Sequence, residues 1–155
     1  MLMKILILSI SILVITIVIA SCKKNNPEPH PSNAVLYNKS VSVIKSYIEG
    51  KWKINYAIGG MTGNQRIDFI NSFMEFKFHP IDSIIHVENG VIRSQSRINW
   101  FPGQDIFTGT TIYFLGFNIY QSNLPFSYRI SQIENDTLLV TQPVADGYTY
   151  ALTKK

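Results

Sequence analysis

Gly50-Lys51-Trp52-Lys53-Ile54-Asn55-Tyr56-Ala57-Ile58-Gly59-Gly60 is the stretch on which the reading of this 155-residue chain turns. Trp52, Ile54, Tyr56 and Ile58 recur with a period of two, and Lys51, Lys53 and Asn55 alternate with them. Successive side chains of a strand point to opposite faces, so this alternation predicts a half-buried strand over residues 51–58, with the apolar set inward. Gly59 and Gly60 end it with turn chemistry.

C-terminal to this strand the same pattern repeats. Strands are expected over residues 71–79, 83–88, 91–100, 110–121, 126–133, 137–142 and 148–153, with turns at 79–82, 122–125, 134–136 and 143–147. Asn89-Gly90 joins two of them and is the strongest short hairpin signal. Residues 59–70 and 101–109 read as loops. The strand over 110–121 is apolar on both faces, so one face must be covered, and the helix described next is a candidate for the cover. Eight strands with short turns predict an all-β fold, an up-and-down antiparallel barrel. Two packed sheets in a β-sandwich are the alternative.

N-terminal to Gly50, Tyr37, Val41, Ile44 and Ile48 are spaced four, three and four apart. That spacing predicts a short amphipathic helix, capped by Asn33 and stopped by Gly50. Before it, Pro27, Pro29 and Pro31 alternate with polar residues, which excludes a helix or a central strand. Residues 22–33 therefore read as an extended tether of roughly 3 Å per residue, reaching about 30 Å.

The first 21 residues read as an export signal. Lys4 is the positive start, Ile5 to Ala20 is an apolar run broken by Ser9, Ser11 and Thr16, and Ala20-Ser21 are the small residues before a cleavage site. The run is short of the ~20 apolar residues that span a bilayer. Residues 34–155 form the remaining domain. The formal net charge of +4 falls to +3 once Lys4 is removed, and the basic residues are scattered rather than clustered. That distribution argues against a nucleic-acid partner.

Ile19-Ala20-Ser21-Cys22 resembles the lipobox of bacterial lipoproteins, and Cys22 is the chain's single cysteine. The resemblance implies lipidation of Cys22 after cleavage before it, and so a membrane partner reached through the lipid anchor. Two or more acyl chains hold a protein stably where one holds it marginally. Lys23, rather than an aspartate, follows the cysteine, and this points to the outer membrane of the cell envelope.

Gly50-Lys51-Trp52 at the head of the first of eight strands, after a short helix, resembles the lipocalin-like (calycin) domains. There the tryptophan plugs one barrel end. The chain departs from the full lipocalin pattern in lacking Thr-Asp-Tyr in a later hairpin and an arginine near the last strand, where Lys154 is the nearest cation.

Chemistry of an enzymatic kind is sparse, and no cofactor is expected. Gly59-Gly60-Met61-Thr62-Gly63-Asn64 lacks the Gly-Lys-Ser/Thr ending of a phosphate loop, and no Gly-x-Ser-x-Gly elbow occurs. His79, Asp82 and His86 lie close in sequence, but zinc takes three or four ligands and no third histidine or cysteine is near, so they read as surface histidines and no metal site is expected. The aromatic load is the remaining signal. Trp52, Tyr56, Phe76, Trp100, Tyr128, Tyr148 and Tyr150 fall on the expected inner face. They either fill the barrel, which at eight strands is just wide enough to be filled by side chains, or line a small apolar cavity with tyrosine hydroxyls as handles. The expected function is thus that of a non-enzymatic, lipid-anchored envelope lipoprotein binding a small hydrophobic ligand. The alternative is a protein-interaction module, an accessory or inhibitor subunit, meeting an envelope partner through the loops at 59–70 and 101–109.

Overall fold

The alternation read over residues 50–60 becomes strand β2 (Gly50–Gly59) in the computed structural model, which describes residues 32–118 and 125–155. Cys22 with its lipobox, most of the tether, and the expected turn at residues 122–124 lie outside the described residues. A two-residue strand, β1 (Ala34–Val35), and helix α1 (Val41–Ile48) precede β2. There follow β3 (Gln65–Lys77), β4 (Ser83–Glu88), β5 (Val91–Arg97), β6 (Asn99–Gln104), β7 (Thr111–Asn118), β8 (Pro125–Glu134), β9 (Thr137–Thr141) and β10 (Tyr148–Lys154). The all-β class holds: these strands make one antiparallel sheet in the order β5-β4-β3-β2-β10-β9-β8-β7-β6, with β1 paired to β8.

The ladder does not close into the expected barrel. The stretch expected as a single strand over 91–100 breaks at Ile98, which is buried in the core. Before the break β5 pairs with β4, and after it β6 pairs with β7, so the two halves are the open ends of the hydrogen-bonded path. Pro102 sits in β6 without penalty because that strand has a neighbour on one side only.

The helix is shorter than its periodicity predicts. Ser40, not Asn33, stands at its N-cap. Ala34 and Val35 pair with Ile133 and Gln132 instead, and the Asn33 side chain accepts a hydrogen bond from the Asn135 backbone N–H at 2.9 Å. Ile44 and Ile48 are fully buried, and the Ile48 carbonyl accepts the indole N–H of Trp52 at 2.8 Å. Lys45 pairs with Asp82, which also accepts the indole N–H of Trp100 at 2.9 Å. The helix therefore covers the core at Trp52. Leu115 of β7 shares the core cluster with the helix residues Ile44 and Ile48, while Phe114 stacks on Phe101 at 5.7 Å, and Gly103 and Gly116 lie too close to those rings to carry a Cβ.

One cluster joins Leu36, the helix and the inward residues of most strands, among them Trp52, Ile54, Phe76, Ile84, Leu115, Tyr128, Ile130, Val140 and Leu152. Residues 31–155 form one compact unit containing it. Asn89-Gly90 and Asn135-Asp136 both turn through positive φ, the conformation that matches the twist of a two-residue hairpin.

Candidate functional site

A register shift in β2 builds the site. Ile54 pairs with Leu152 and Tyr56 with Ala151, so Asn55 is an extra residue on β2, and the ladder to β3 also shifts there. An inserted residue reverses which side chains face the core. Trp52 and Ile54 point inward as expected, but after the bulge Ala57 is the buried residue. Tyr56 and Ile58 turn to the outer face, and Ile58 is 39% exposed. This corrects the uninterrupted alternation expected from the sequence.

On that outer face Tyr56 and Ile58 lie beside Ala151 and Thr149 of β10, which in turn pair with Leu139 and Thr141 of β9. The loops after β2 and before β10 rise around them, and Phe107 of the β6–β7 loop reaches the rim. Together they enclose a cleft of about 380 Å³. Among the described residues no charged side chain lines it. A Cβ on Gly59 would collide with the Gly147 carbonyl oxygen, so the two walls meet at backbone distance, and only glycine permits it. The far wall is tied down by Gln142, whose backbone N–H donates to the Tyr148 carbonyl at 2.9 Å and whose side-chain oxygen accepts the Tyr148 N–H at 3.0 Å. The hydroxyls of Thr149 and Thr141, which line the cleft, continue to the buried Ser131 in a row, 3.1 Å at each step.

Charged groups flank the cleft. Arg66 lies 4.1 Å over the Tyr56 ring and donates to Asp68 at 2.9 Å; that hydrogen bond raises the guanidinium pKa. Arg129 lies against the rings of Tyr37 (4.5 Å) and Phe107 (5.4 Å) and pairs with the fully buried Asp105 at 3.3 Å. The Nε of Arg129 is buried without a hydrogen-bond partner. Asp105 also organises its own loop. Its carboxylate accepts the Thr108 hydroxyl at 2.7 Å, and its backbone N–H donates to the Thr110 carbonyl at 2.9 Å.

Of the aromatic residues expected to line a ligand site, Trp52, Phe76 and Tyr128 belong to the core cluster and Trp100 and Tyr150 pack against it. The Lys154 ammonium lies 5.5 Å over the Trp52 ring. Burial lowers the pKa of that lysine. Trp100 packs on Phe78 at 6.4 Å, near the helix. Tyr128 and Tyr150 meet edge to face at 5.7 Å, and Phe117 and Phe69 pack against that pair at 5.3 and 6.2 Å. Burial raises both tyrosine pKa values. Tyr148 donates its hydroxyl to Gln65 at 2.8 Å. Tyr56 alone of the seven lines the outer cleft. The residues that sequence reasoning missed are Thr141, Thr149, Asp105 and Arg129. No local pattern marks them, because cross-strand pairing and a loop return bring them together.

His79 and His86 do not face one another. His86 lies within β4, opposite Met74, and hydrogen-bonds through Nε2 to the buried Ser72 hydroxyl at 2.9 Å. Among the described residues no group of three His, Cys, Asp or Glu side chains is placed to hold a metal. Burial lowers the pKa of His86 below its ordinary 6.5. The folded protein then takes up this proton at lower pH than the unfolded chain, so the unfolded chain holds more protons between the two values. Stability is expected to fall as pH drops below about 6.5 and to level off once folded His86 is protonated. Urea unfolding from about pH 7.5 to about pH 5 measures this. His86→Gln should flatten the profile over that window, and wild-type and variant profiles that run parallel would contradict the assignment.

Comparison with protein-family models, curated proteins and solved structures finds no match to this chain.

Proposed function

We propose that this chain is a lipid-anchored lipoprotein of the cell envelope, held to the outer membrane through Cys22, whose lipocalin-like domain acts without catalysis by binding a small hydrophobic ligand in the outer cleft. The observation that carries the ligand reading is the cleft itself. It is preformed and lined by Tyr56, Ile58, Leu139, Ala151 and Phe107, with no charged side chain, and its size falls in the range of small-molecule sites. The threonine hydroxyls supply orientation. Trp52 and Phe76 are packed among aliphatic side chains of the core.

Three features support the lipocalin-like part of this reading. The first long strand pairs with the last, as a circular meander requires. The two open ends of the sheet are consecutive in the chain, so the strand expected over 91–100 links β4 to β7 through covalent continuity where hydrogen bonds are missing. Lys154 stands over Trp52 where a lipocalin carries an arginine.

Titration of the domain with 1-aminoanthracene, an apolar fluorescent probe, tests the ligand reading. Saturable enhancement is expected, and Ala145→Trp, on the exposed loop that walls the cleft, should abolish it without unfolding the protein. Binding that is unchanged in Ala145→Trp, or no binding at all, would refute it. The second reading, a docking module for an envelope protein, is favoured by one observation: Met61 is 93% exposed, and Ile106 and Phe107 are also exposed, all on the two loops expected to carry contacts.

A further inference from the structure

A second cleft lies near Arg129. Phe107, whose ring centre is 5.4 Å from the guanidinium, borders the apolar cleft, whereas Tyr37, at 4.5 Å, borders a polar one of about 390 Å³. One wall is the link between β1 and α1, with Tyr37, Asn38 and Ser40. The other is the β6–β7 loop and the start of β7, with Thr108, Thr110 and Tyr113. We propose that this cleft is a saccharide-binding site, taking one or two sugar rings.

The lining chemistry selects the ligand. The Asn38 carboxamide and the Ser40 hydroxyl both donate and accept hydrogen bonds and the threonine hydroxyls accept them, so together they match a ligand whose own groups do both. Sugar hydroxyls have that property; a fatty chain does not, and a phosphate only accepts. Lys39 is the single cation in the lining, and no acid joins it, so neither a phosphate clamp nor a metal site is built here. The two phenol rings provide apolar surface with a polar tip, which suits the C–H faces of a pyranose. Tyr113 is 41% exposed although its strand lies in a sheet, which leaves its ring available to a ligand.

The walls are held in advance. Thr108 donates to the buried Asp105 carboxylate at 2.7 Å and accepts from the Thr110 hydroxyl at 2.8 Å, so both hydroxyls are oriented before anything binds and present lone pairs to a ligand. Tyr37 is stacked on Arg129, and its backbone N–H donates to the Ser131 carbonyl at 3.1 Å. A buried ion pair gives little net stability over apolar packing, so the Asp105–Arg129 pair is explained better by the geometry it imposes on this loop. Pre-ordered groups lose less entropy on binding.

The test uses the full chain in dodecylphosphocholine micelles, a detergent without sugar, with maltose, cellobiose, chitobiose and glucuronate as probes. Amide shift changes are expected at residues 38–40 and 108–113 with at least one of them. Tyr113→Ala should weaken that binding by about fivefold or more. Thr110→Val should weaken it as well, while leaving 1-aminoanthracene binding in the apolar cleft unchanged, which separates failure here from failure of the other site. A response to glucuronate alone assigns Lys39 to an acidic sugar within the same class. Silence at residues 38–40 and 108–113 with all four probes, or shifts of equal size in Tyr113→Ala, would overturn the proposal.

Discussion

Asp105→Asn is expected to be among the most damaging single substitutions in the domain. Asp105 is fully buried and Arg129 nearly so, with 12% of its side chain exposed. Removing one partner of a buried pair leaves an uncompensated charge, which costs about 3–5 kcal/mol. That is a large share of the 5–15 kcal/mol typical of a folded domain, and corresponds to a drop in melting temperature of roughly 10 °C or more. The loss has a local cause that a second variant isolates. Asp105→Asn combined with Arg129→Met removes both charges and keeps an apolar side chain beside Tyr37 and Phe107, so most of the stability should return. The exposed pair Arg93–Glu88, at 2.9 Å, is the control: Glu88→Gln should cost about 1 kcal/mol or less. Urea unfolding of the variants measures all of these. A single Asp105→Asn change costing under about 1 kcal/mol would show that Arg129 is solvated and that the pair does not organise the loop.

The second large effect concerns Cys22. The mature protein is expected to begin at that residue and to carry acyl chains on it, visible as added mass on the intact protein. Each buried CH₂ contributes about 0.8 kcal/mol, so two or more chains convert marginal membrane contact into stable anchoring. Cys22→Ser removes the sulfur that accepts the diacylglyceryl group, and the added mass should vanish entirely. A wild-type protein whose Cys22 is recovered as a free thiol would contradict the lipoprotein assignment.

Much of the fold was legible because alternation and turn chemistry are local. Asn89-Gly90 marked its hairpin, and the strand expected at residues 83–88 is the strand observed. What escaped was non-local. β3 begins at Gln65, earlier than its hydrophobic pattern, because residues 65–68 are exposed and carry no apolar alternation. Asn71, at φ 53°, lies where the ladder to β2 shifts, so the two halves of β3 read as loop and strand. The periodicity reaches further toward the N-terminus than the helix itself because Tyr37 sits at a helical spacing. That side chain instead stacks on Arg129, a residue with no sequence signal linking the two.

The bulge at Asn55 had the greatest consequence for function. A strict period of two over residues 50–60 placed Tyr56 and Ile58 inside. One extra residue put them outside, and with them the candidate site moved from the core to the outer face of β2, β10 and β9. The glycine pair that closed the stretch in sequence became part of that site, since Gly59 meets Gly147 at a distance no side chain allows.

The most direct test of this account is to map 1-aminoanthracene onto the assigned amide spectrum of the domain. Binding in the outer cleft predicts shift changes centred on Gly59, Gly60, Gly147 and Thr149. Changes centred on Leu115, Phe117, Tyr128 and Leu152 instead, with the glycines unmoved, would place the ligand in the interior and contradict it.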